Sequence, residues 1–234
     1  MIQPSARYSP RQRELGYIHP RVYTVGVDLG QAHDPTAIAV VETEVLTRCF
    51  YDGLNPEPRQ VPEGVEHRVR HLERLPLGMA YPLQVAHVRG LMMAPELRTG
   101  DAELVVDETG VGKPVCDLFE AEGLKPVRVM ITGGMEETRA GARSHRVPKI
   151  TLVSRLQAAL HAKELKLSPE LRELQALQQE LSEFRMRHTA AGSAVFGARE
   201  GRHDDLVLAL AIAVWRAQAR SRGSGFRSGR LLGV

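Results

Sequence analysis

Three acidic positions in the chain have the side-chain type and setting to do chemistry. Asp28 lies in VGVDLG, Asp107 in LVVDETG, and Asp204 and Asp205 open the run HDDLVLALAIAVW. Asp28 and Asp107 each close a β-branched apolar run, where a strand stops and its side chain meets solvent. The Asp204–Asp205 pair stands where a helix begins, at the positive end of its dipole. A fold that gathers the three positions makes a pocket of hard oxygen ligands, suited to Mg²⁺ or Mn²⁺. Taken singly, each has an ordinary reading: a turn-forming Asp, a cap in a glycine-rich connection, a helix start. The combination, in this order, is what points to a metal-binding carboxylate site.

The elements that must position these acids follow from the pattern. Arg21–Gly30 and Thr36–Glu44 read as strands joined by a turn at His33-Asp34-Pro35, and Leu46–Tyr51 as a third strand. The proline-rich NPEPRQVPEG reads as a loop insertion, and His67–Leu75, alternating charged and apolar, as an edge strand. Tyr81–Leu97 has helical spacing, Ala102–Asp107 is a short buried strand, Lys113–Glu122 a helix, and Val127–Ile131 a strand. Lys149 to about Leu165 is an amphipathic helix, and Ser168-Pro169 signals another. Arg185–Ala198 reads as a hairpin, and the terminal helix runs from Asp204 to about Ala219. Its stretch from Leu206 to Trp215 is almost wholly apolar, so it must lie deep against a sheet and hold its leading acids at the sheet's rim. Strands first, then alternating helix and strand, give a mixed α/β sheet flanked by helices.

Composition narrows the class. With 234 residues, 43% hydrophobic and 25% charged, the chain is a globular protein with room for one large α/β domain. Residues 1–20 read as an N-terminal arm or linker, 21–219 as the domain, and 220–234 as a basic flexible tail. No apolar run approaches a membrane span, and the N-terminus lacks a signal-peptide core. Two isolated cysteines, Cys49 and Cys116, fit a reducing cytoplasm. Net charge is only +3, but Arg143, His145, Arg146 and Lys149 cluster in TRAGARSHRVPK, a candidate phosphate-contacting stretch. Aromatic residues make up 5% of the chain, too few to suggest base stacking on single strands.

VGVDLG alone also resembles the first phosphate loop of actin-like ATPases, but Gln31-Ala32 replace the hydroxyl residue expected after the glycine. GVGK is no P-loop, since Asp stands at 107 and Pro at 114 where that motif needs Gly and Ser or Thr. V-G-x-D-x-G followed by D-P, then Asp-x-T-G-x-G, then H-D-D-L-x-x-A, together resemble the nuclease domain of phage terminase large subunits. The match covers about Arg21–Ala219. This resemblance implies a ribonuclease H-like fold and a hydrolase that cuts double-stranded DNA during genome packaging. It implies two divalent metals held by Asp28, Asp107 and one or both of Asp204 and Asp205. Implied partners are DNA, a packaging ATPase domain, a small terminase subunit and a portal, in a phage-infected host's cytoplasm. The chain has no Walker A loop, so it is expected to be an excised domain, a split subunit or a related stand-alone nuclease. A Holliday-junction resolvase or transposase-like nuclease of the same fold, an actin-like ATPase, and a non-catalytic DNA-binding piece are the alternatives. Asp34 is read as a turn former, His203 as a cap-region neighbour and Trp215 as core.

Overall fold

A computed structural model of the chain describes residues 13–18, 20–52, 54, 57–110, 112–183, 185–188, 194–197 and 204–223. The chain begins with β1 (Arg13–Ile18), β2 (Arg21–Asp28) and two long strands, β3 (Ala37–Tyr51) and β4 (Arg59–Arg74). Two helices follow, α1 (Tyr81–Met92) and the short α2 (Pro95–Thr99), before β5 (Asp101–Asp107), α3 (Gly112–Ala121) and β6 (Val127–Thr132). The last third holds β7 (Thr138–Arg139), β8 (Ser144–Pro148), α4 (Lys149–His161), β9 (Leu165–Leu167), α5 (Leu174–Glu183), the hairpin β10 (Arg185–His188) and β11 (Ala194–Gly197), and α6 (Asp205–Gly223).

Among the described residues the main sheet has nine strands in the order β7-β8-β6-β5-β2-β3-β4-β9, with β1 added beside β3. β2, β3 and β4 are antiparallel neighbours, while β5, β6 and β8 extend the sheet in parallel from β2. Each face is covered. Val25, Val27, Ile38, Val40, Leu104 and Val106 pack against α1, α2 and α3. Ala37, Ala39, Val41, Val105 and Val129 pack against α4, α5 and α6 on the other side. No described helix is long and apolar enough to cross a membrane.

α6 is the deepest helix: every residue from Asp205 to Trp215 is buried. It comes this close to the sheet because β2 carries glycine at position 26. A Cβ there would collide with the Ala209 carbonyl oxygen and lie 2.9 Å from the Ala213 Cβ. Small residues on both sides therefore set the helix–sheet distance.

Several elements depart from the sequence pattern. Leu46–Tyr51 is no separate strand but the end of β3, and β4 starts inside the expected loop insertion, at Arg59. Pro62 is tolerated there because the β3–β4 ladder shifts register between Leu46 and Thr47, next to it. His67–Leu75 is not a bare edge, since β9 pairs with residues 67–69. Residues 13–18, expected in the arm, pair with β3. The Ser168-Pro169 signal makes turns, with the Glu170 N–H donating to Ser168 Oγ at 3.3 Å, and the helix begins only at Leu174. α6 continues through 220–223, while 224–234 of the expected tail lie outside the described residues.

Gly26→Ala is expected to lower unfolding free energy by about 1–3 kcal/mol, because the obstructing atoms include backbone. Urea denaturation that leaves the midpoint unchanged would mean α6 is not seated by this contact.

Candidate active site

β2 and β5 run parallel in register, with Val27 opposite Val106, so Asp28 and Asp107 are the residues that follow on neighbouring strands. Alternation sets the face. Val25 and Val27 point toward α1 and α3, leaving Asp28 on the α6 side; Val105 packs on the α6 side, and Asp107 follows it there. The two carboxyls interact electrostatically, the Asp107 charge helping to raise the pKa of Asp28. Thr109 grips Asp107 from the turn that follows: its hydroxyl donates to Oδ1 at 2.5 Å and its N–H to the same oxygen at 2.9 Å. The Thr109 hydroxyl oxygen in turn accepts the Ile131 N–H at 2.8 Å, so β6 fixes the group that fixes Asp107.

α6 brings the remaining acids. The Asp204 carbonyl accepts the Leu208 N–H at 2.9 Å, closing the helix's first turn. Asp204 Oδ2 is 2.7 Å from Lys149 Nζ at the start of α4. Asp205 is buried, and its Oδ2 accepts from Arg74 Nε at 2.8 Å. Arg74 also bonds to Glu180 of α5, whose other oxygen accepts the Val207 N–H at 2.9 Å. Glu180 thus supplies the side-chain acceptor for an otherwise unpaired donor in the first turn of α6.

The electrostatics follow from crowding. Asp28 is held well above the ordinary carboxylate range by burial, then by the Asp107, Asp204 and Asp205 carboxylates, with Lys149 opposing. Asp107 is raised by burial, against the lowering effect of Thr109 and the Ile131 N–H. Burial also pushes Glu180 up to about 7, with the Val207 N–H and Arg74 pulling the other way.

Among the described residues, no three acid, histidine or cysteine side chains already surround a common point as a formed ligand set. Asp204 and Asp205 are turned to their cationic partners instead. The donors nevertheless fit a hard divalent cation. They are carboxylate oxygens, and Asp28 meets the charges of Asp107, Asp204 and Asp205, a surplus of negative charge that calls for a counter-ion. Asp28, Asp107 and one of the α6 acids are the groups that could hold it.

The basic stretch is dispersed. Lys149 joins the acids, but Arg143 lies at the opposite end of the parallel strands, bonded to the Lys125 and Pro126 carbonyls and 3.4 Å from Glu103. His145 packs edge-on against Trp215 with centroids 5.2 Å apart. Trp215 is ten residues along α6 from Asp205, about 15 Å by helical rise. Arg146 is exposed on the other face of β8 from buried Val147. Asp34 is exposed in the turn, its carbonyl against Gly30, and His203 lies outside the described residues. A cavity of about 360 Å³ lies at the far end too, lined by Glu103, Lys125, Arg143 and Arg220 among others, and takes in none of the acids of this site. Arg74 and Glu180 were not legible as site residues. Arg74 sits in an alternating charged strand, Glu180 on an amphipathic helix, and neither has a motif.

No protein-family model matches the chain, and no curated protein does. Among solved structures, the large terminase nuclease from thermophilic phage G20c with bound magnesium aligns over 90% of this chain and 89% of that one, with 20% identity and a TM-score of 0.57. The same protein with bound cobalt gives a TM-score of 0.56 at 20% identity, over 90% of this chain and 89% of that one. The Thermus phage P74-26 large terminase nuclease domain aligns over 88% and 86%, with 21% identity and a TM-score of 0.51. The fold is the mixed α/β sheet flanked by helices expected from the sequence, and it is shared with these large terminase nucleases.

With metal chelated, Asp28→Asn is expected to melt above the wild type. Asp28 and Asp107 titrate above the ordinary 3.8 when folded, so the folded chain binds protons that the unfolded chain releases. Stability therefore falls as pH rises through the raised values. Asn does not titrate, so the gap should be wide at about pH 8 and close near about pH 3. Thermal melts in EDTA across that range test it; a gap that is constant with pH contradicts it.

Proposed function

We propose that this chain is an endonuclease that hydrolyses phosphodiester bonds of double-stranded DNA with Mg²⁺ or Mn²⁺ at the carboxylate site. One observation carries the reading: two aspartates end neighbouring parallel strands side by side, and α6 delivers a third acidic position to them. The likeness in fold to large terminase nucleases, one with bound magnesium and one with bound cobalt, supports it.

Bound divalent cations supply positive charge on the scissile phosphate and make a water nucleophilic at neutral pH. The chain's own residues do the rest. Asp28, which interacts with Asp107 and with both α6 acids, would be the central ligand of a site for one or two cations. Asp107 would supply a second ligand, and Thr109 keeps it in one orientation by two hydrogen bonds to the same oxygen. Lys149 neutralises Asp204 and stands within reach of an incoming phosphate. The resemblance to terminases extends the proposal to genome packaging, with a packaging ATPase, a small terminase subunit and a portal as partners; that extension is by analogy of family.

Plasmid cleavage with Mn²⁺, Mg²⁺ or EDTA, beside Asp28→Asn and Asp107→Asn, tests the reading. Linearisation that requires metal and disappears in both variants is the expected result. Cutting that survives in EDTA or in Asp28→Asn removes it. Thr109→Val, which loses the hydroxyl but keeps the shape, is expected to slow cleavage roughly 10–100-fold. An unchanged rate would mean Asp107 needs no such support.

A further inference from the structure

Arg74, the last residue of β4, faces three carboxylates. Its Nε donates to Asp205 Oδ2 at 2.8 Å, one Nη bonds Glu180, and the other lies 3.7 Å from Glu173. Asp205 and Glu180 are both buried, and Glu180 also accepts the Val207 N–H in the first turn of α6. One guanidinium thus ties β4, α5 and α6 together beside the carboxylate site. Its planar fork suits two acids held in fixed directions, which a single ammonium cannot match.

Asp204 is held differently. Its side chain is 21% exposed against 3% for Asp205, and its partner Lys149 carries a single charge on a flexible stem. Removing one member of a buried ion pair leaves an uncompensated charge, so Asp205 is costly to detach. The lysine pair, with side chains 25% and 21% exposed, is less desolvated and therefore cheaper to exchange. The two adjacent acids therefore have unlike freedom to take a new partner.

We propose that Arg74 is a positioning residue of the carboxylate site. With Glu180 it pins Asp205 and the first turn of α6, so that Asp204 is the acid presented to Asp28 and Asp107. The inference rests on the nuclease reading for its catalytic meaning, and it assigns distinct roles to two neighbours that sequence spacing leaves equivalent. Arg74 itself touches neither DNA nor cation; it acts through Asp205 and the helix start.

The test compares Arg74→Lys, Asp204→Asn and Asp205→Asn by thermal melting in EDTA, by calorimetric titration with Mn²⁺, and by plasmid cleavage over a Mn²⁺ series. Arg74→Lys and Asp205→Asn should melt below the wild type yet still bind Mn²⁺. Arg74→Lys should need roughly tenfold or more Mn²⁺ for half-maximal cleavage, with the rate at saturating metal largely kept. Asp204→Asn should melt no lower than the wild type and lose the Mn²⁺ heat. The inference is overturned if Asp205→Asn loses Mn²⁺ binding while Asp204→Asn keeps it. It is also overturned if Arg74→Lys lowers the melting temperature without changing the Mn²⁺ requirement, the signature of a structural role alone. If Arg74→Lys does not fold, the two aspartate variants decide. The expected binding pattern without DNA cutting would remove the nuclease reading and leave the positioning role; the reversed pattern with DNA cutting would do the opposite. A wild type that binds no Mn²⁺ overturns both.

Discussion

The distance between α6 and β2 governs the acidic end of this molecule. Helix and strand meet at Gly26, Ala209 and Ala213, where there is no room for a further methyl group. That contact places Asp204 and Asp205 against Asp28, an arrangement that electrostatics alone opposes. The opposition is outweighed by burial. Leu206, Val207, Leu210, Ile212 and Val214 are wholly buried. Each such side chain contributes about 1.5–3 kcal/mol as an upper estimate, and together they exceed the repulsion of a few partly neutralised carboxylates. The helix is held down by its apolar body and carries its charged end along with it.

What remains of the repulsion is distributed among specific groups. Lys149 answers Asp204, Arg74 answers Asp205 and Glu180, and the Thr109 hydroxyl and N–H answer Asp107. Asp28 meets three other acids with Lys149 opposing them, and burial together with those charges raises its pKa well above the ordinary carboxylate range. A cluster arranged in this way favours any ligand that adds positive charge near Asp28. Such a ligand gains attraction to the carboxylates, and the fold supplies the desolvated setting in which that attraction is strong. The preference for a cation is therefore a property of the packing as much as of the acids.

The sequence disclosed the parts of this arrangement that depend on local pattern. β2 and β5 appear as β-branched runs that stop at an aspartate, and α6 as an apolar helix opened by two acids, so the three positions were legible. The groups that hold those acids were not. Arg74 meets Asp205 across a separation of 131 residues and Glu180 across 106, and no periodicity encodes such a pairing. The first part of β4 was hidden by Pro62, which reads as a loop until the register shift beside it is known, although His67–Leu75 was legible as a strand. The cluster Arg143, His145, Arg146 and Lys149 looked like one patch because its members are close in sequence. A strand runs through it, however, so its two ends lie at opposite ends of the sheet and alternate residues on opposite faces.

That division bears on how a polyanion could approach. Far from the acids, Arg216 makes a two-point ion pair with Glu103, Arg220 bonds Asp101, and Arg143 lies near Glu103 as well, so positive charge there is largely matched within the fold. At the acidic end, by contrast, Asp28 meets the charges of Asp107, Asp204 and Asp205, with Lys149 opposing them. A phosphodiester brought to that end would be repelled by the bare carboxylates, because like charges a few ångströms apart in a partly desolvated setting cost more than surface screening can relieve. In the proposed function, cation binding and DNA binding are consequently linked: the same positive charge that relieves Asp28 removes the barrier to the phosphate. The chain's formal net charge of +3 is a poor guide to this behaviour, since the sign that matters is that of a handful of residues at one end of the sheet.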